Sequence, residues 1–113
     1  MTKYLVLYVS PTSAQEQIAN ATPEEGAAGM EAWTAWAGRV GPALVDLGSP
    51  TMAVGSVVSG SGSAAGDGYI GGFSIMEAES ADAVRGLLAD HPHLMLDGAS
   101  IEVLEFLELP GMG

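Results

Sequence analysis

The segment KYLVLYV, Lys3 to Val9, leaves this chain the fewest options. It is rich in β-branched and aromatic residues and is followed by the breaker SPTS, so it reads as a strand. Both of its alternating faces are apolar: Tyr4, Val6 and Tyr8 on one, Leu5, Leu7 and Val9 on the other. Such a strand needs cover on two sides. The apolar run is too short for the core of a signal peptide and much too short to span a bilayer, so a cytoplasmic location is expected.

A helix should start at ATPEEG. Thr22 suits the N-cap, Pro23 the first helical position, and Glu25 completes a capping box, with Glu24 and Glu25 at the positive end of the dipole. Met30, Trp33, Ala37 and Val40 recur at spacings of three and four and predict one buried stripe, with Trp36 beside it. Gly41-Pro42 should end this helix. TMAVGSVVSG, Thr51 to Gly60, reads as a weaker edge or bulged strand, SGSGSAAGDG as a hairpin loop, and GYIGGFSIMEA, Gly68 to Ala78, as a third strand. Ser80 caps a second helix that buries Val84, Leu87 and Leu88 and closes near Asp90, because Pro92 disfavours helical geometry at His91. SIEVLEFLEL, Ser100 to Leu109, is the last strand, and PGMG a frayed tail.

The order β-α-β-β-α-β predicts a ferredoxin-like α+β fold: a four-stranded antiparallel sheet, strands one and three central, with two helices on one face. At 113 residues the chain makes one domain, 1–113. The bare face of the doubly apolar first strand then calls for a second copy, which predicts a symmetric homodimer.

Fourteen acidic residues stand against three basic ones, Lys3, Arg39 and Arg85. Three scattered cations make no footprint for phosphate backbones or anionic lipid, so neither nucleic acid nor membrane is an expected partner. With no cysteine, disulfides, thiolate metal sites and thiol nucleophiles are excluded. GSGSAAGDG lacks a Walker lysine and opens no helix, and no G-x-S-x-G elbow occurs, so no cofactor is expected.

The segments GGFSIMEAESADAVRGLLADHPHL and GASIEVLEF resemble the YCII-related (DGPF) family, as do KYLVLY for its first strand and TPEEGAAGMEAWTAWAGRVG for its first helix. The resemblance implies a dimeric α+β barrel of ferredoxin-like subunits. It implies no single activity: a few members of the family are linked to dehydrochlorination of aromatic-ring compounds, others to sigma-factor regulation. It also implies an acid/base histidine in the first helix with a following aspartate. Gly29 and Met30 stand where that histidine is expected, Asp46 is placed to keep the acidic position, and AAGDGYIGGF replaces the DGPF motif.

Both histidines lie in DHPHLMLDG. Imidazole titrates nearest neutral pH, so His93 is the candidate base, with Asp97 or Asp46 to orient it. His91, at a helix C-terminus, is explained equally well as a cation favoured by the dipole. A metal needs three or four converging ligands, and none is expected here. Tyr8, Trp36, Tyr69 and Phe73, with room left by Gly71 and Gly72 and with His91 nearby, are the expected lining of a small-molecule cleft between helix and sheet. The tryptophans read as readily as core and interface residues. The leading expectation is a homodimer that binds a small, partly apolar molecule. The alternatives are a small acid/base enzyme, lyase or dehydrochlorinase-like, using His93 with an aspartate, and a regulatory module meeting a basic partner protein.

Overall fold

The computed structural model describes residues 1–55, 60 and 69–110. Strand β1 (Thr2–Ser10) is followed by two helices, α1 (Ala14–Asn20) and α2 (Pro23–Val40), and a single 3-10 turn leads into β2 (Leu44–Pro50). Then come β3 (Tyr69–Ala78), α3 (Ala81–Leu88), a second 3-10 turn over Pro92–Met95, and β4 (Ser100–Glu105). The sheet order is β2-β3-β1-β4, and every pairing is antiparallel. This is the ferredoxin-like α+β arrangement, with β1 and β3 central.

The capping chemistry forms where the sequence places it. Thr22 Oγ1 accepts from the Glu25 N–H at 3.1 Å while Glu25 returns a carboxylate oxygen to the Thr22 N–H at 3.0 Å. Ser80 caps α3 by accepting from the Ala83 N–H. Gly41 closes α2 with φ at 55°, a left-handed value that glycine adopts without steric cost.

Alternation along β1 sorts its side chains. Tyr4, Val6 and Tyr8 are buried against Trp36 and Val40 of α2 and Val84 and Leu88 of α3, with Met76 and Ala78 of β3 completing the core. Leu5, Leu7 and Val9, on the opposite face, are only half-buried. Within one chain, β1 is therefore covered on one side.

Four local expectations need correction. The second strand is Leu44–Pro50, not the segment from Thr51; Thr51–Gly55 has no regular structure, and Ser56–Ser59 lie outside the described residues, as does the loop 61–68. Gly48 and Pro50 disguised this strand as a turn, but β2 is an edge strand with two register shifts, where a bulge tolerates both. The last strand ends at Glu105, so Glu108 lies beyond it; the tail from Gly111 lies outside the described residues. Helix α1 joins β1 to α2 where only a breaker was expected, capped by Ser13 Oγ on the Glu16 N–H. Finally, the buried line of α2 is Trp36 and Val40, with Trp33 and Ala37 packed beside it and Met30 exposed. Among the described residues no helix is long and apolar enough to cross a membrane.

Candidate functional site

A cleft of about 710 Å³ opens between α2 and the C-terminal end of β1. Its floor is Tyr8 with Gly71 and Gly72 of β3. One wall is the Gly29–Thr34 stretch of α2; α1 closes a second side through Gln17 and Ile18; Ser49 and Pro50 of β2 and His93 complete the rim. Gly72 gives this floor its close packing. A Cβ on Gly72 would sit 3.1 Å from Ser49 O, tighter than an ordinary contact, and 3.5 Å from the Tyr8 ring, while one on Gly71 would only touch Ala14 of α1 at 3.4 Å. The register shift between Tyr8 and Val9 falls at this pair.

The two histidines do different work. Pro92 starts the 3-10 turn, and His91 is its N-cap: the His91 Nδ1 lone pair accepts from the His93 N–H at 2.9 Å. A bare Nδ1 puts the proton of the neutral ring on Nε2, which is buried without a hydrogen-bond partner among the described residues. Aromatic rings surround the imidazole instead, their centroids 4.3 Å from its own for Trp33, 4.4 Å for Trp36 and 4.8 Å for Tyr8. Burial pushes the His91 pKa down to about 4, with the neighbouring His93 adding to the effect and Asp90 opposing it. The ring is therefore uncharged at neutral pH, and the cation that the helix dipole would favour is absent. His91 is held as a neutral capping acceptor.

His93 is fixed from the other side. Its Nε2 lies 2.9 Å from Val9 O and 3.1 Å from Ser100 O, the carbonyls of residues paired across β1 and β4. Carbonyls only accept, so Nε2 carries a proton and donates to both. In the neutral ring Nδ1 is then a free lone pair; it has no partner among the described residues and is not one of the buried orphan atoms. His93 also packs edge-on to Tyr8, with centroids 5.4 Å apart.

Beneath the floor, Ser74 Oγ donates to Leu47 O at 2.6 Å. Its single proton is thereby committed, so Tyr8 Oη donates to Ser74 Oγ at 2.8 Å. Burial raises the Tyr8 pKa, and the Ser74 hydrogen bond offsets part of that rise. Tyr8 stays a neutral phenol that joins β1, β3 and β2.

Of the residues expected at a site, Tyr8, Gly71, Gly72 and His93 line the cleft together; Phe73 borders it, but its place in β3, in register with Leu7, puts it on the opposite face of the sheet. Trp36 does not: it is fully buried and donates its indole N–H to Leu87 O at 2.9 Å, tying α2 to α3. Tyr69 is exposed at the start of β3, and His91 is sealed behind Trp33. Asp46 accepts from the Gly48 N–H at 2.8 Å in the β2 bulge, and Asp97 is exposed beyond the 3-10 turn; neither lines the cleft. No carboxylate oxygen comes within 4.0 Å of either histidine among the described residues, and no three metal-ligating side chains converge there. Sequence reasoning passed over Trp33, Ser10, Gln17 and Glu25 as lining residues. Ser10 shares the parity of Tyr8 along β1, a usable signal. Gln17 lies on the helix that was not foreseen.

Fold and site together define a small α+β domain with a half-open, largely apolar cleft and one oriented imidazole at its edge. No family model and no curated protein matches the chain, so the likeness to YCII-related proteins rests on the segments quoted above. Among solved structures, the chain is similar to the 5-chloro-2-hydroxyhydroquinone dehydrochlorinase of Burkholderia phenoliruptrix AC1100, in complex with 2,5-dihydroxybenzoquinone. The two are 25% identical over 88% of this chain and 90% of that one, with a TM-score of 0.48.

Proposed function

We propose that this protein binds a small, partly apolar molecule in the cleft between α2 and the sheet, as a homodimer whose subunits pack through their bare sheet faces. The observation that carries the binding reading is the enclosure itself. Trp33, Met30 and Tyr8 bound a space of about 710 Å³, and His93 offers a fixed polar contact at its edge. Small-molecule sites have this composition, apolar walls with few polar groups of set orientation. The dimer reading rests on Leu5, Leu7 and Val9 with Phe73 and Ile75, an apolar face that no helix among the described residues covers.

The binding reading is tested by a thermal-shift screen of small molecules on the wild type and on Trp33→Ala and His93→Gln. A ligand of the native state raises its midpoint; the rise should fall away in Trp33→Ala and shrink in His93→Gln, which loses one polar contact. A broad screen without a single stabilising compound, or hits indifferent to Trp33, would sink it.

One observation favours a second reading, an acid/base enzyme on the same site. The double carbonyl contact leaves His93 Nδ1 as a bare base. In this reading the bound molecule, rather than an aspartate, completes the hydrogen-bonding of the ring. Turnover of a stabilising compound that disappears in His93→Gln while its binding persists would select this reading.

A further inference from the structure

The geometry points to an organic ammonium, an amine on an apolar body, as the class of ligand this cleft accepts; this rests on the binding reading above. The polar atoms of the cleft have mostly spent their protons. Ser10 Oγ donates to Thr12 O, Thr34 Oγ1 to Met30 O at 2.8 Å, and Ser49 Oγ to Pro50 O at 3.0 Å. The Gln17 amide N–H groups go to Ser10 Oγ and Thr12 O, each at 2.8 Å. Tyr8 donates to Ser74, and His93 Nε2 to two carbonyls. These groups turn lone pairs, not protons, toward a ligand. Asn20 and the Trp33 indole keep uncommitted N–H groups among the described residues, and both are uncharged.

Charge points the same way. The chain has three basic side chains, and none lines the cleft. Arg39 pairs with Asp90 at 3.1 Å and Arg85 with Asp82 at 3.3 Å, while Lys3 is in register with Glu77 at the far end of β1. Among the described residues the carboxylate on the lining is Glu25, whose pKa is held below the usual carboxylate range by its backbone and side-chain hydrogen bonds to Thr22. A carboxylate or phosphate entering here would face Glu25 with no cation to neutralise it, in a chain of formal net charge −11. An ammonium finds a carboxylate, the His93 lone pair and the partly exposed indole of Trp33, an aromatic ring whose face attracts cations.

Three compounds with one aromatic body and different charge test this: phenethylamine, phenethyl alcohol and phenylacetate, titrated calorimetrically at neutral pH and low salt. The expected order of affinity is amine, then alcohol, then phenylacetate. Added salt should weaken the amine more than the alcohol. Glu25→Gln, which keeps an oxygen for the capping box, should lower amine affinity about two- to five-fold and narrow the gap to the alcohol. Phenylacetate binding as tightly as the amine overturns the inference and leaves the cleft standing as a binding site. Failure of all three to bind overturns the inference, and the broad screen then decides the binding reading by itself.

Discussion

His91 shows how one residue ties the site to the stability of the fold. It is 1% exposed and uncharged, and its lone pair holds the turn that presents His93. Protonation at Nδ1 would remove that acceptor and bury a charge among three aromatic rings. Its folded pKa of about 4 lies below the ordinary histidine value of 6.5, so the unfolded chain binds the proton more readily. The stability that neutral His91 contributes is complete above the unfolded value. It drains away as the pH falls through the window down to about 4, where the folded form also titrates. Urea midpoints should therefore fall across that window in the wild type. His91→Asn keeps a capping oxygen but does not titrate; it should flatten this dependence while costing about 2–3 kcal/mol at neutral pH through lost packing. Equal pH slopes in the two proteins would contradict this account.

At the scale of elements, helix α2 divides its two tryptophans between core and cleft. Trp36 ties α2 to α3, and Trp33, one turn earlier, faces the cleft. Trp36→Phe should lower unfolding free energy by about 2 kcal/mol through the lost indole hydrogen bond and unfilled volume, measurable by urea denaturation. Thr22→Ala should cost α2 about 1 kcal/mol by removing its cap. In β2 the sensitive position is Gly48. Its φ is 82°, and a Cβ there would lie 1.6 Å from Phe73 O. Gly48→Ala must move β2 off β3, taking Leu47 O away from Ser74; a loss of roughly 3 kcal/mol or more is expected from strain and clash together. Much of this scale was legible in advance. Capping boxes and strand alternation are local, and they fixed α2, α3, β1 and β3 nearly to the residue. Helix α1 was missed although Ser13 and Glu16 carry the S-x-x-E spacing, because Pro11 and Thr12 beside them looked like a plain breaker. Strand β2 was misplaced because its glycine and proline obey a bulged edge, which is a property of the sheet.

At the scale of the whole molecule, the proposed homodimer is tested on the sheet face opposite the helices. Leu7 lies at the centre of the bare face, in register with Phe73 on one side and Glu102 on the other. Light scattering at micromolar concentration should give the mass of two chains, and Leu7→Glu, which places a charge in the middle of that face, should give one. A wild type with the mass of one chain would remove the dimer proposal and leave the cleft reading untouched.

The sequence by itself determined the fold class, the apolar parity of β1, the helix starts and the shortage of cations. Each of these follows from residues close along the chain or from a simple count. Tertiary structure alone decided which tryptophan meets the cleft, that Asp46 and Asp97 stay away from the histidines, and which ring nitrogen of each histidine keeps its lone pair. Those outcomes depend on hydrogen bonds between residues far apart in sequence, such as His93 to Val9 and Tyr8 to Ser74. No periodicity encodes them. A proton's place on a ring or hydroxyl is set by whichever carbonyl the folded chain brings within reach.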